Sequence, residues 1–189
     1  MLLDVLQQSL KSRPGRPANL LGQASQAAVA VLITPNLDVL FIRRAEYEGD
    51  PWSGHIALPG GRVDSDDASP GHTACREVHE EVGVSLDDAQ LLGMLDQVAS
   101  PDLTPRVVVS PFVYALTAKP ALQLDPTEVA GIYWFNLARL RDGEGRGTFD
   151  YDFRGRRLQL PCVDLDGARI WGMTLRVVDD LLERLPFKS

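Results

Sequence analysis

At 189 residues, 44% of them apolar and 24% charged, the chain has the make-up of one globular domain burying about two thirds of its unfolded surface. A formal charge of −7 disfavours a nucleic-acid partner held through backbone phosphates. The distant pair Cys75 and Cys162 argues against a disulfide scaffold or a zinc knuckle.

An amphipathic helix is predicted over residues 1–11, where Leu2, Leu3, Leu6 and Leu10 recur at helical spacing. Asp4 stands where an export signal carries bases, so a cytoplasmic location is expected. Arg13-Pro14-Gly15-Arg16-Pro17 breaks the helix into a linker. Residues 1–26 are thus expected to form a helix and linker ahead of a domain over 27–189. Strands are predicted over 27–33 and 38–42, joined by a Pro35-Asn36 turn, the first buried on both faces. The apolar run from Ala27 to Ile33 is the longest in the chain and far below the ~20 residues of a membrane span, so no membrane partner is expected.

A polar loop over 43–55 leads to Ile56-Ala57-Leu58, and Pro59-Gly60-Gly61 reads as a stop. The best-specified element is a helix over 70–82: Ser69 is a good N-cap, Pro70 suits the first turn, and Gly83 ends it as a left-handed C-cap. Strands follow over 91–98 and 107–116, separated by a loop with Pro101 and Pro105, and then over 129–135. Asn136 can cap a short helix to 141, a glycine loop fills 143–147, a hairpin is predicted over 149–160, and a helix over 170–185 closes the chain. Strands and helices interleave without a strict βαβ rhythm, which predicts an α/β (α+β) fold with a mixed sheet flanked by helices.

Chemistry concentrates on the central helix. At about 100° per residue, Glu80 lies about 60° to one side of Glu77 and Glu81 about 40° to the other, so three carboxylates share one arc. Ala74, Cys75, Val78 and Val82 form an apolar stripe that packs the helix onto a sheet. An acidic arc is ordinarily a solvated face, and its like charges destabilise a helix by some tenths of a kcal/mol per pair. Clustered hard oxygens suit Mg²⁺ or Mn²⁺, which reverse that sign. The Gly60-Gly61 break lets backbone approach a ligand closely, and Asp64, Asp66 and Asp67 add more acids beside it.

These residues resemble the box of the Nudix hydrolases: Gly, five residues, Glu, seven residues, Arg-Glu-aliphatic-x-Glu-Glu-x-Gly-aliphatic. The chain offers Gly61, Asp67 and then Arg76-Glu77-Val78-His79-Glu80-Glu81-Val82-Gly83-Val84. Asp67 replaces the first Glu, and one extra residue precedes Arg76. The resemblance implies a Nudix fold, with the box as a loop-helix-loop and a mixed sheet between helices. It implies Glu77, Glu80 and Glu81 as ligands of Mg²⁺ or Mn²⁺, and an Arg76 that orients a glutamate. Gly61 and Gly83 are structural in this reading. The implied reaction is attack of water on one phosphorus of a diphosphate, with Glu80 or the loop acid Glu128 taking the proton. A homodimer is implied only by analogy, since no stretch marks an interface.

Upstream, Leu40, Arg44, Gly54, Pro59, Gly60 and Gly61 fall in register with the motif of the branch that hydrolyses coenzyme A and its thioesters. Ile42, Glu46, Leu58 and, above all, Asp50 depart from it; Asp50 stands where that motif has a second Arg. Arg43 and Arg44 are candidates to hold phosphate, as are the Gly60 and Gly61 backbones, although strand-end arginines are often merely solvated. The expected partner is a small nucleotide substrate, coenzyme A foremost. The alternatives are ADP-ribose, a dinucleotide polyphosphate, a nucleoside triphosphate, or a module that binds nucleotide without catalysis. Trp52 and Tyr47 are loop aromatics able to cover the core or stack on a base. His55, His72 and His79 lack zinc-ligand spacing, and Trp171 and Met173 read as core or pocket wall on the closing helix.

Overall fold

A computed structural model of the chain describes residues 2–19, 24–49, 52–100, 106–153 and 155–185. In chain order the elements are α1 (Leu2–Ser12), β1 (Ala24–Ile33), β2 (Asp38–Arg44), β3 (Ile56–Ala57), β4 (Gly60–Arg62), α2 (Pro70–Val82), β5 (Gln90–Met94), β6 (Val98–Ala99), β7 (Arg106–Ala115), β8 (Val129–Asn136), α3 (Leu137–Arg141), β9 (Arg146–Phe153), β10 (Arg156–Leu165), β11 (Ala168–Trp171) and α4 (Gly172–Arg184). Among the described residues, no helix is long and apolar enough to cross a membrane.

An eight-stranded mixed sheet runs in the order β3-β2-β1-β7-β5, with β4 also on β1, β6 on β7 and β8 on β2. β1 and β7 pair in parallel from Ala24 opposite Arg106 to Ile33 opposite Ala115. β1 is apolar on both faces because both are covered. Ala28, Ala30 and Leu32 meet Ala74, Val78 and Val82 of α2. Ala27, Val31 and Ile33 belong to the opposite core, with Leu6 and Leu10 of α1, Leu140 of α3 and Val178 and Leu181 of α4. The mixed sheet between helices follows from that two-sided burial.

Four elements differ from expectation. Gly60-Gly61 is not a stop: it continues as β4, with Ala28 opposite Gly61 and Val29 opposite Gly60. A Cβ on Gly60 would overlap the Ala28 carbonyl, so only glycine lets this strand lie there. The strand expected over 91–98 splits into β5 and β6; its ladder to β7 shifts register between Leu91 and Gly93, and Pro111 of β7 has no N–H to offer. The hairpin is longer than 149–160, because β9 and β10 reach from Arg146 to Leu165. Finally, Ile170 and Trp171 are extended rather than the start of the closing helix: they belong to β11, which pairs with β10 and completes a second sheet of order β11-β10-β9. Pro101 and Pro105 of the expected loop lie outside the described residues.

The N-terminal linker is tied down by charge. Arg184 of α4, its side chain 0% exposed, donates to Asp96 at 2.6 Å and to Asp180 at 2.9 Å, and it also contacts the Arg13 carbonyl. Arg16 adds a fork onto the same Asp96, at 2.9 and 2.6 Å. A buried guanidinium is tolerated only when so fully paired.

Candidate metal centre and active site

The caps of α2 act as expected: the Ser69 hydroxyl accepts from the His72 N–H at 3.2 Å, and Gly83 adopts φ 70°, its N–H donating to the His79 carbonyl. The wheel then ranks the three glutamates. Glu81 lies only about 20° from Ala74 around the helix, whereas Glu80 lies about 120° away. Packing on β1 therefore draws Glu81 under the surface, 1% exposed, and leaves the Glu80 side chain 48% exposed. Glu77 is intermediate, its side chain 13% exposed.

The Glu81 carboxylate accepts from the Gly60 N–H at 2.8 Å. Burial pushes its pKa up to about 8; the Gly60 N–H and the Arg44 charge oppose the rise, and Glu77 and Glu128 add to it. Burial also raises Glu77, against the pull of Arg76, whose Nη1 lies 2.9 Å from its carboxylate. Gly61 makes room here, since a Cβ on it would overlap the Glu77 carboxylate.

Glu128 arrives from the loop before β8, and that loop is fastened to the end of α2. The Gln123 N–H donates to the Val82 carbonyl at 2.9 Å and the Asp125 N–H to the Glu81 carbonyl at 3.1 Å. The Asp125 carboxylate accepts from the Thr127 N–H at 2.8 Å and hydroxyl at 2.6 Å. The Glu128 carbonyl accepts from the Ala45 N–H at 2.7 Å. As a result Glu77, Glu81 and Glu128 each bring one carboxylate oxygen within 4.8 Å of the others. Converging carboxylates, one of them buried, are costly unless a cation or protons neutralise them. A set of hard oxygens fits Mg²⁺ or Mn²⁺.

Glu80 stands outside that trio. Its carboxylate accepts from Arg76 Nη1 at 2.7 Å. The same guanidinium forks onto Asp67, Nε at 3.1 Å and Nη2 at 3.0 Å, and reaches the Arg62 carbonyl at 3.3 Å. Asp67 also accepts from the Asp64 N–H at 3.0 Å and the Thr73 hydroxyl at 2.8 Å, and its side chain is 2% exposed. Arg76 above all, then the Asp64 N–H, hold Asp67 well below the usual carboxylate range. Thus the shorter acid and the extra residue before Arg76 still give a bidentate clamp, which fixes the arginine between loop and helix.

The two upstream arginines part company at a bulge between Arg43 and Arg44. Arg44 bears on Glu81, and its N–H donates to the His55 carbonyl at 3.0 Å. Arg43 instead donates to the Tyr133 hydroxyl at 2.5 Å and the Gly167 carbonyl at 3.0 Å, bracing the β10–β11 turn. Trp52 packs against the core, while Tyr47 is 57% exposed. His72 pairs with Asp67 at 3.1 Å. Trp171 ends β11 rather than sitting within a helix, and Met173 packs on the core. Asp50 lies outside the described residues. Sequence reasoning missed Asp125 as the residue that shapes the Glu128 turn; Asp125-Pro126-Thr127 was the available signal, as an acid before proline and threonine favours such a turn.

The family model described as NUDIX domain matches residues 24–153. An uncharacterised protein of Schizosaccharomyces pombe is 40% identical over 107 residues, 54% of this chain and 32% of the relative, so the chain spans about a third of that relative's length. Human mitochondrial coenzyme A diphosphatase NUDT8 is 28% identical over 177 residues, 93% of this chain and 72% of the relative. Among solved structures, the NUDIX domain of Shewanella oneidensis NrtR complexed with ADP ribose is similar with a TM-score of 0.51 and 25% identity, over 65% of this chain and 79% of that one.

Proposed function

Because this chain belongs to the NUDIX domain family, we propose that it is a divalent-metal-dependent pyrophosphohydrolase, cutting the diphosphate of coenzyme A or its thioesters with water. The observation that carries the reading is the convergence of Glu77, Glu81 and Glu128 within 4.8 Å. These three would hold Mg²⁺ or Mn²⁺. The bound ion supplies offset of phosphate charge and a lowered pKa for water. Glu81 must give up its proton to act as a ligand, and the Gly60 N–H and Arg44 favour its charged form. Arg76 holds Glu77 and Glu80 in place while Asp67 holds Arg76. Glu128, exposed and on a loop, brings a second carboxylate oxygen besides the one it would offer the metal, and that oxygen can take the proton from water. Glu80 is the alternative, though Arg76 already occupies one of its oxygens.

Coenzyme A is favoured by Leu40, Arg44, Gly54, Pro59, Gly60 and Gly61 and by the likeness to NUDT8 along most of the chain. ADP-ribose is the second reading, supported by the likeness to the NrtR domain. The test is a screen of coenzyme A, ADP-ribose, a dinucleotide polyphosphate and a nucleoside triphosphate with Mn²⁺ or Mg²⁺, products resolved by mass. Coenzyme A should give 4′-phosphopantetheine and adenosine 3′,5′-bisphosphate at the highest kcat/KM. Preference for ADP-ribose would replace coenzyme A as substrate, and no metal-dependent turnover of any diphosphate would overturn the proposal.

A further inference from the structure

β9 forms the rim of the second sheet. It pairs with β10, and among the described residues no strand meets its other edge. The strand is eight residues long, against about 5–6 for a common one. Its ladder runs residue for residue from Arg146 opposite Val163 to Phe153 opposite Arg156. It has neither the proline nor the bulge that commonly blunts an edge. A straight row of backbone N–H and C=O groups is therefore presented for pairing. Four of its side chains, Arg146, Thr148, Asp150 and Asp152, are exposed on one face, and Gly147, Phe149, Tyr151 and Phe153 lie on the other.

We propose that the open edge of β9 pairs antiparallel with the same edge of a second copy of this chain, about a two-fold axis at Phe149, so that one sheet runs across a homodimer. The inference stands apart from the hydrolase reading. Two identical strands that pair in this way must centre on one residue, because outward-pointing N–H and C=O groups belong to alternate residues. Centring on Asp150, Tyr151 or Asp152 sets aspartate opposite aspartate, which like charge disfavours. Centring on Phe149 removes every such clash and pairs the strand from Arg146 to Asp152. Arg146 then faces Asp152 of the second copy at both ends, while Phe149 faces its own copy. Arg146 already donates to Asp179 of α4 at 2.5 Å, and a guanidinium has further donors for a second carboxylate. The same register sets Gly147 opposite Tyr151 of the second copy. A Cβ on Gly147 would meet nothing within 4 Å, and a cross-strand aromatic ring is the group that fills such a gap. Charge and shape along this edge thus complement the edge itself, which selects a second copy over an unrelated strand.

The test is sedimentation equilibrium of the full chain over a range of concentrations, with hydrogen exchange at the two ends of that range. The parent should dimerise reversibly, and β9 amides should exchange more slowly at the higher concentration. Thr148, exposed on the edge strand, would face Asp150 of the second copy, twice by symmetry. Thr148→Asp should therefore raise the dimer dissociation constant by up to about ten-fold, and Thr148→Lys should lower it by a similar factor. A lysine at 148 would face itself if the axis lay at Thr148, so tighter association also fixes the register. Gln8→Asp and Gln8→Lys place the same charges on the exposed side of α1 and should leave the constant unchanged. Melting curves report that each variant folds. A folded parent that stays monomeric at every concentration overturns the proposal and leaves the edge bare or open to another protein. A dimer without slowed exchange in β9 overturns it too. So does a dimer whose affinity the folded Thr148 variants leave unmoved, shift in the same direction, or shift no more than the Gln8 variants do.

Discussion

Glu81→Gln separates metal binding from folding. Glu81 has a pKa raised to about 8 in the metal-free protein, against an ordinary value near 4.3 in the unfolded chain. The folded state therefore keeps a proton that the unfolded state releases, so stability is full below the unfolded pKa and is lost as pH rises through about 8. By pH 7 the loss is about 3 kcal/mol. Glutamine carries no charge and its amide oxygen can still accept from Gly60, so that loss disappears. The metal-free variant should melt about 6–12 °C above the parent at pH 7, with the gap closing towards pH 4. Saturating Mg²⁺ should stabilise the parent by about 3 kcal/mol at a hundred times its Kd and leave the variant unmoved. Turnover should fall by about two orders of magnitude or more, in line with the several kcal/mol that metal charge stabilisation supplies. Calorimetric melts at several pH values, with and without Mg²⁺, check all three outcomes. A variant that melts below the parent at pH 7, still responds to Mg²⁺ and still turns over would refute the reasoning.

The same titration makes Mg²⁺ binding release protons, so its apparent affinity should rise between pH 6 and 8, measured by calorimetry in buffers of different ionisation enthalpy. Gly61→Ala places a methyl against the Glu77 carboxylate, the end of a flexible side chain that can swing aside, so it should cost little stability and remove most of the Mg²⁺-induced shift in a melt. Asp67→Asn breaks the bidentate clamp on Arg76 and should lower kcat/KM by about 10- to 100-fold. Because Asp67 is held below its ordinary pKa, its stabilising effect should persist at neutral pH and fade only as pH falls below the carboxylate range. Arg184→Ala leaves Asp96 and Asp180 without their buried cation and should cost about 3–5 kcal/mol in a denaturant melt.

Local chemistry was legible in the chain itself. Ser69, Pro70 and Gly83 set both ends of α2 because caps and left-handed termination depend on a few adjacent residues. The unbroken apolar run in β1 announced a strand covered on both sides, and Asn136 announced α3. The spacing of Arg76, Glu77, Glu80 and Glu81 gave the family resemblance before any contact was known. The burial order of the glutamates is also encoded locally, since Glu81 lies close to Ala74 around the helix and Glu80 far from it.

Tertiary structure decided the rest. Gly60-Gly61 became a strand only because β1 offered it a ladder, and residues 168–171 became β11 only because β10 lay beside them. The trio of converging acids joins Glu128 to residues nearly fifty positions earlier, through a loop fastened to the Glu81 and Val82 carbonyls. Such a meeting depends on long-range backbone hydrogen bonds, whose partners no local pattern encodes. A sequence specifies which side chains can bind a cation; packing selects which of them are buried, turned inward and brought within reach of one another.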